Sequence, residues 1–128
     1  MRPRVRCSVK LNHLDLPVAD VPSVTAFLVD HFNLRPRTRL TSPVFAILDD
    51  EHGFVLVLQR RAREDASFPD GLHIGFLVDD PAIVFERRAR LAAAGLAVSE
   101  VETDGRGTRC YCRGPSDLLV ELSCPAAR

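Results

Sequence analysis

Three residues of this chain have the types and spacing to do metal chemistry. His13 opens the stretch His13-Leu-Asp-Leu-Pro-Val-Ala-Asp20, and His73 opens His73-Ile-Gly-Phe-Leu-Val-Asp-Asp80, so each histidine is followed seven residues later by an aspartate. Glu121 lies in Leu118-Leu119-Val120-Glu121-Leu122-Ser123, where an unpaired carboxylate is costly to bury. It needs a cation, a hydrogen-bond cluster or solvent. Two imidazole nitrogens and one carboxylate suit Fe²⁺, Mn²⁺, Zn²⁺, Ni²⁺ or Co²⁺ and leave coordination positions open for substrate and water.

For these groups to meet, the chain must repeat a structural unit. Asp20 and Asp80 each stand where a helix N-cap belongs, and Pro22 and Pro81 fall in the first turn, where a missing N–H costs nothing. The first helix is predicted over Val21–Asn33, with Val24, Phe27, Leu28 and Phe32 as its apolar stripe and His31 partly buried beside them. The second is predicted over Pro81–Ala94, with Phe85, Ala89 and Ala92 inward, Glu86 and Arg90 paired outside, and Gly95 at the C′ position. Strand-like runs follow each helix: Arg37–Leu40, Val44–Leu48 and Phe54–Gln59, then Ala97–Glu102, Thr108–Arg113 and Leu118–Ser123. The turns at 49–53 and 113–117 carry hairpin chemistry, which leaves His52 exposed. Each half therefore reads βαβββ. The expected fold is α+β, a single domain over residues 1–128 with modules at about 8–60 and 71–124 joined by the polar stretch Arg60–Gly71.

One helix per half covers one face of its strands. If the modules form a curved mixed sheet, the uncovered faces enclose a cavity. Side chains alternate along a strand. Leu72, Ile74 and Phe76, like Leu118, Val120 and Leu122, then pack on the helix side, while His73, Gly75 and Glu121 point to the cavity. By the repeat His13 takes the place of His73, and Val57, which cannot ligate, takes the place of Glu121. Gln59 shares the face of Val57, one pleat on, while Arg109, Tyr111 and Arg113 share the cavity face of their own strand.

Composition narrows the function classes. The formal net charge is zero, which argues against a nucleic-acid binder working through a basic field. No apolar run reaches the ~20 residues of a membrane span. The N-terminus Met1-Arg2-Pro3-Arg4-Val5-Arg6 has charge but no apolar stretch behind it, so a cytoplasmic protein is expected. Sixteen arginines against the single Lys10 suggest the codon usage of a GC-rich bacterium. Arg35, Arg37 and Arg39 alternate, as on a solvated edge strand. Cys7, Cys110, Cys112 and Cys124 form no CxxC pair and read as buried free thiols.

From about Leu11 to Cys124 the chain resembles the vicinal oxygen chelate superfamily, which includes glyoxalase I, extradiol dioxygenases, fosfomycin-resistance enzymes and bleomycin-binding proteins. The resemblance rests on His13…Asp20, Gly71-Leu72-His73-Ile74-Gly75-Phe76 and Gly114-Pro115-Ser116-Asp117-Leu118-Leu119-Val120-Glu121. It implies metal ligands at His13, His73 and Glu121, with a fourth position at Val57 left empty of a ligand. It also implies a Tyr ten residues before the final Glu, as in extradiol dioxygenases; Tyr111 keeps that spacing. On this reading Tyr111 donates to a developing anion and Arg109 holds a substrate carboxylate. Two function classes stay open. One is a metal-dependent enzyme (dioxygenase, or lyase or isomerase of the glyoxalase type) whose substrate chelates the metal through adjacent oxygens. The other is a bleomycin-resistance-like protein that binds a small molecule or antibiotic without catalysis. The resemblance further implies a homodimer whose cavity borders or includes the partner.

Overall fold

The structure is a computed structural model that describes residues 9–39 and 42–127. In chain order it contains β1 (His13–Val18), α1 (Val21–Phe32), β2 (Arg35–Pro36), β3 (Phe45–Asp49), β4 (Val55–Arg60), β5 (Ile74–Leu77), α2 (Pro81–Ala93), β6 (Ala97–Val98), β7 (Glu102–Asp104), β8 (Gly107–Arg113) and β9 (Leu119–Pro125), with a short 3₁₀ turn at Pro115–Asp117. This is the expected α+β fold of two βαβββ-like halves. Both helices start as their sequences dictate. Asp20 accepts from the Ser23 backbone N–H at 3.1 Å, and Asp80 from that of Ala82 at 2.9 Å. Asn33 ends α1 in the left-handed region at φ 60°.

The strands divide into two mixed sheets, ordered β1-β4-β3-β2 and β5-β9-β8-β6, with β7 paired to β8. In each, the strand before the helix lies parallel to the last strand of its module, so β1 and β5 are both sheet edges among the described residues. The registers are equivalent. Asp15 stands opposite Val57, and Gly75 stands opposite Glu121. The repeat that pairs His13 with His73 and Val57 with Glu121 therefore holds rung by rung.

One apolar cluster joins the modules. It takes Leu16, Val18, Leu48, Leu56 and Leu58 from the first sheet, Cys112 and Val120 from the second, and Val24, Phe27 and Leu28 from α1. Phe32 of α1 stacks on Phe76 of β5 at 4.7 Å between ring centres. The loop before β9 is fitted against α1. A Cβ on Gly114 would meet the Phe27 ring at 2.6 Å, and Ser116 Oγ accepts from the Asp20 backbone N–H at 3.0 Å. Cys112 and Val120 of the second sheet reach this shared cluster, while Cys110, Leu122 and Cys124 on the same face pack with Val84 of α2 in a second cluster; the other face of each sheet lies away from both.

Several elements differ from the sequence reading. In α2 the buried residues are Val84 and Leu91, while Phe85 is 56% exposed and Ala89 and Ala92 are exposed too. The stripe runs through Arg88, whose guanidinium leaves the apolar face to donate to Ser99 O and Glu100. The run Ala97–Glu102 splits into two short edge strands, β6 and β7, because Ser99 turns in to bond both ways with Tyr111 on β8. Leu72 precedes β5 and is exposed. The first edge strand is β2, ahead of the expected Arg37–Leu40; Leu40 lies outside the described residues, and Arg37 makes a two-point ion pair with Asp49 at 2.7 and 3.0 Å. Cys110, Cys112 and Cys124 are free and buried, whereas Cys7 lies outside the described residues. Burial pushes the Cys112 thiol up to about 11 and raises Cys110 in the same direction.

Candidate metal centre

The second sheet gathers three of the expected residues on its open face. Tyr111 of β8 and Glu121 of β9 are direct cross-strand partners, and Gly75 of β5 is Glu121's partner on the other side. The Glu121 carboxylate reaches over the Gly75 position, where a Cβ would stand 4.0 Å from Oε2, and approaches His73. His73 Nε2 stands 3.0 Å from Glu121 Oε2, and the Tyr111 hydroxyl donates to Glu121 Oε1 at 3.4 Å. The His73 and Tyr111 rings meet edge to face at 5.8 Å.

Hydrogen bonding fixes how His73 presents itself. Its Nδ1 lies 2.9 Å from the Gly71 carbonyl oxygen. A carbonyl only accepts, so Nδ1 carries the proton and donates. Nε2 is then either a second N–H, forming an imidazolium–carboxylate pair, or a lone pair aimed at a cation. The 3.0 Å separation is that of an N–H···O hydrogen bond, and it equally admits a cation. In an octahedral site, two ligand atoms each about 2.1 Å from the metal and at right angles are also about 3.0 Å apart. A backbone carbonyl fixing the tautomer of a ligating His is also the usual outer-shell arrangement. His73 and Glu121 therefore fit two positions in the shell of a divalent metal, and the rest of the shell must come from elsewhere.

His13 is not part of this group within one chain. It is exposed at the start of β1 in the other sheet, and among the described residues no three His, Cys, Asp or Glu side chains cluster to hold a metal. Val57, on the same face as His13 and opposite Asp15, is buried. Sequence reasoning misses Asp15. It lies one pleat from His13 on the open face and accepts a 2.5 Å hydrogen bond from the Gln59 amide. A signal for it exists, since Asp15 follows His13 at the alternation period of a strand.

Arg109 shares the face of Tyr111 but is already engaged. Its side chain is 8% exposed and donates to Asp104 at 2.6 and 3.0 Å and to Glu102 at 3.3 Å. The hydrogen bonds from Arg109 hold the Asp104 carboxyl well below the usual carboxylate range, and those same bonds raise Arg109. Holding a substrate carboxylate would require Arg109 to exchange these partners. His52 is exposed as expected. With His73 it borders a cavity of about 380 Å³ between the modules, lined by Leu14, Leu34, Phe54, Leu56 and Phe76.

Comparison with known proteins now places the chain. Residues 10–122 match the model of the Glyoxalase/Bleomycin resistance protein/Dioxygenase superfamily, and the chain belongs to that superfamily. Among solved structures it is similar to a possible glyoxalase from Bacillus cereus, 26% identical, covering 91% of this chain and 100% of that one at a TM-score of 0.80. A lactoylglutathione lyase from Agrobacterium tumefaciens is 22% identical, with 92% and 95% covered and a TM-score of 0.73. A point mutant of the fosfomycin resistance protein FosX from Listeria monocytogenes, complexed with Mn(II) and 1S,2S-dihydroxypropylphosphonic acid, is 23% identical, with 91% and 90% covered and a TM-score of 0.72. The last two likenesses concern the fold alone. A search of curated proteins finds no match. Among the described residues no helix is long and apolar enough to cross a membrane.

Proposed function

We propose that the protein is a homodimeric, metal-dependent enzyme acting on a small molecule that offers two adjacent oxygens, with His13 of one subunit joining His73 and Glu121 of the other around a divalent cation. The observation that carries this reading is the 3.0 Å approach of His73 Nε2 to Glu121 Oε2, with Nδ1 committed to Gly71 O. Two features of the fold support a partner. The open faces that carry His13 and His73 lie away from the shared core, on different sheets. The strands they lead, β1 and β5, are edges among the described residues, flanked by exposed Leu11, Leu14, Leu72 and Leu77. Sheet edges beside exposed apolar side chains favour association, and a two-fold dimer is the commonest solution.

In the chemistry this supports, the metal supplies Lewis-acid stabilisation of an oxyanion. Among the chain's own groups, Gly71 O fixes the His73 tautomer, and Tyr111 presents a hydroxyl to Glu121 and to any ligand beside it. Dioxygenase, lyase and isomerase reactions share this first step. The complex of FosX with Mn(II) and a vicinal diol is a precedent in the same fold.

Two measurements test the reading. Light scattering at micromolar concentration should give a dimer of the 14.2 kDa chain. Mn²⁺, Ni²⁺, Fe²⁺ or Zn²⁺ should raise the melting temperature of chelator-treated protein by linkage, and His73→Ala should abolish the gain. A monomer, or a protein stabilised by none of these metals, overturns it. A metal-blind dimer would point to the bleomycin-resistance-like reading, a groove that binds without catalysis.

A further inference from the structure

The two modules are equivalent rung by rung, and at one rung they exchange roles. In the second module the β5 residue is Gly75 and its β9 partner is Glu121; in the first the β1 residue is Asp15 and its β4 partner is Val57. The acidic group has crossed from the last strand to the first. The Glu121 side chain does not stay above its own strand. A Cβ built on Gly75 would lie 3.9 Å from Glu121 Cβ and 4.0 Å from Oε2, so the carboxylate reaches the space above the β5 position. The first-module counterpart of that space is above Asp15, whose own carboxylate oxygens lie only two bonds beyond its Cβ. The shorter side chain, starting from the nearer strand, brings oxygen to the region that Glu121 reaches with a longer one from the farther strand.

We infer that Asp15 supplies the fourth protein ligand of the metal centre, from β1 instead of β4, and that Gln59 positions it. This rests on the metal reading proposed above. Gln59 lies on the open face and donates to Asp15 Oδ1 at 2.5 Å, which leaves Oδ2 for the metal. Valine at position 57, the register partner of Asp15, adds no competing polar group. The subunit that brings His13 thus brings Asp15 on the same strand face, and the set becomes two imidazoles and two carboxylates. Hard divalent ions such as Mn²⁺ gain from the additional oxygen.

The experiment is Mn²⁺ titration of the chelator-stripped dimer by calorimetry and by electron paramagnetic resonance. Wild type is compared with Asp15→Asn, Gln59→Ala, His13→Ala, Glu121→Ala and the double variant Asp15→Asn/Val57→Glu. Asp15 is exposed and asparagine is its isostere, so metal-free melting of Asp15→Asn should match wild type. The expected result is Mn²⁺ affinity lowered by at least about tenfold in Asp15→Asn, a smaller loss in Gln59→Ala, as for other outer-shell groups, and recovery on adding Val57→Glu. Wild-type affinity in Asp15→Asn, with binding lost in His13→Ala and Glu121→Ala, overturns the role of Asp15 and leaves the metal centre standing. Unchanged affinity in all the single variants overturns both.

Discussion

Replacing Gly114 by alanine should destabilise the join between the two modules. The new Cβ would stand 2.6 Å from Phe27 Cε1 and 2.8 Å from Cζ, against 3.4–4 Å for ordinary contact. The ring must retreat by about 1 Å. It has little room, being 5% exposed and in contact with the His31 ring at 5.8 Å and the Phe32 ring at 5.4 Å. Overpacking of this kind costs about 1–3 kcal/mol. In a chain of this size each kcal/mol lowers Tm by about 3–5 °C, so a fall of about 3–15 °C is expected. Phe27→Leu removes the ring atoms that clash, so in that background Gly114→Ala should cost less than about 0.5 kcal/mol, the usual bound for a substitution that meets nothing. Urea unfolding of the four proteins in the cycle measures the coupling. An equal cost of Gly114→Ala in both backgrounds, or no cost in wild type, would refute the contact and with it the account of how the two sheets are set back to back.

Other substitutions separate site from scaffold. Tyr111→Phe removes one 3.4 Å hydrogen bond from a half-buried face, so stability should stay within about 1 kcal/mol, while binding of a chelating diol or keto acid to the metal-loaded protein weakens. A larger loss in thermal melting would make Tyr111 a core residue. The Asp104–Arg109 pair sets a pH dependence. The folded Asp104 carboxyl titrates below its ordinary value of 3.8 because Arg109 donates to it, so its contribution is fully present above that value and is lost as pH falls below it. Acid titration followed by circular dichroism should show Asp104→Asn flatter than wild type below pH 3.8; parallel curves would remove the pair from the stability account.

What the sequence reveals is local or periodic. Asp20 and Asp80 act as caps because the first-turn N–H groups of each helix lack intrahelical partners and a short carboxylate just before them can accept. Alternation puts Tyr111 and Glu121 on one face, and the β8–β9 register makes them partners. The Glu86–Arg90 pair forms at 2.8 Å, as helical spacing requires. What stays hidden depends on contacts between distant segments. The inward face of α2 escapes the helical period because Arg88 sits on it and is satisfied by Ser99 and Glu100. Arg109 looks free until β7 folds back with Asp104 and Glu102. The bond from Gln59 to Asp15 needs the parallel pairing of β1 with β4, across 44 residues of chain. That His13 and His73 occupy equivalent positions is legible in the repeat. That a single chain keeps them apart is not, because it depends on which sheet faces meet in the core.

A metal site built from two subunits is tested most directly by complementation. His13→Ala and Glu121→Ala chains are each stripped of metal, then mixed, unfolded and refolded together, and Mn²⁺ binding is measured per dimer. Each homodimer has every site broken. In the mixed dimer one site loses both groups, while the other takes His13 from the Glu121→Ala chain and His73 with Glu121 from the His13→Ala chain. Neither homodimer should bind Mn²⁺, and each mixed dimer should bind one at wild-type affinity. Mixed dimers that bind no more metal than their parents would contradict the shared site.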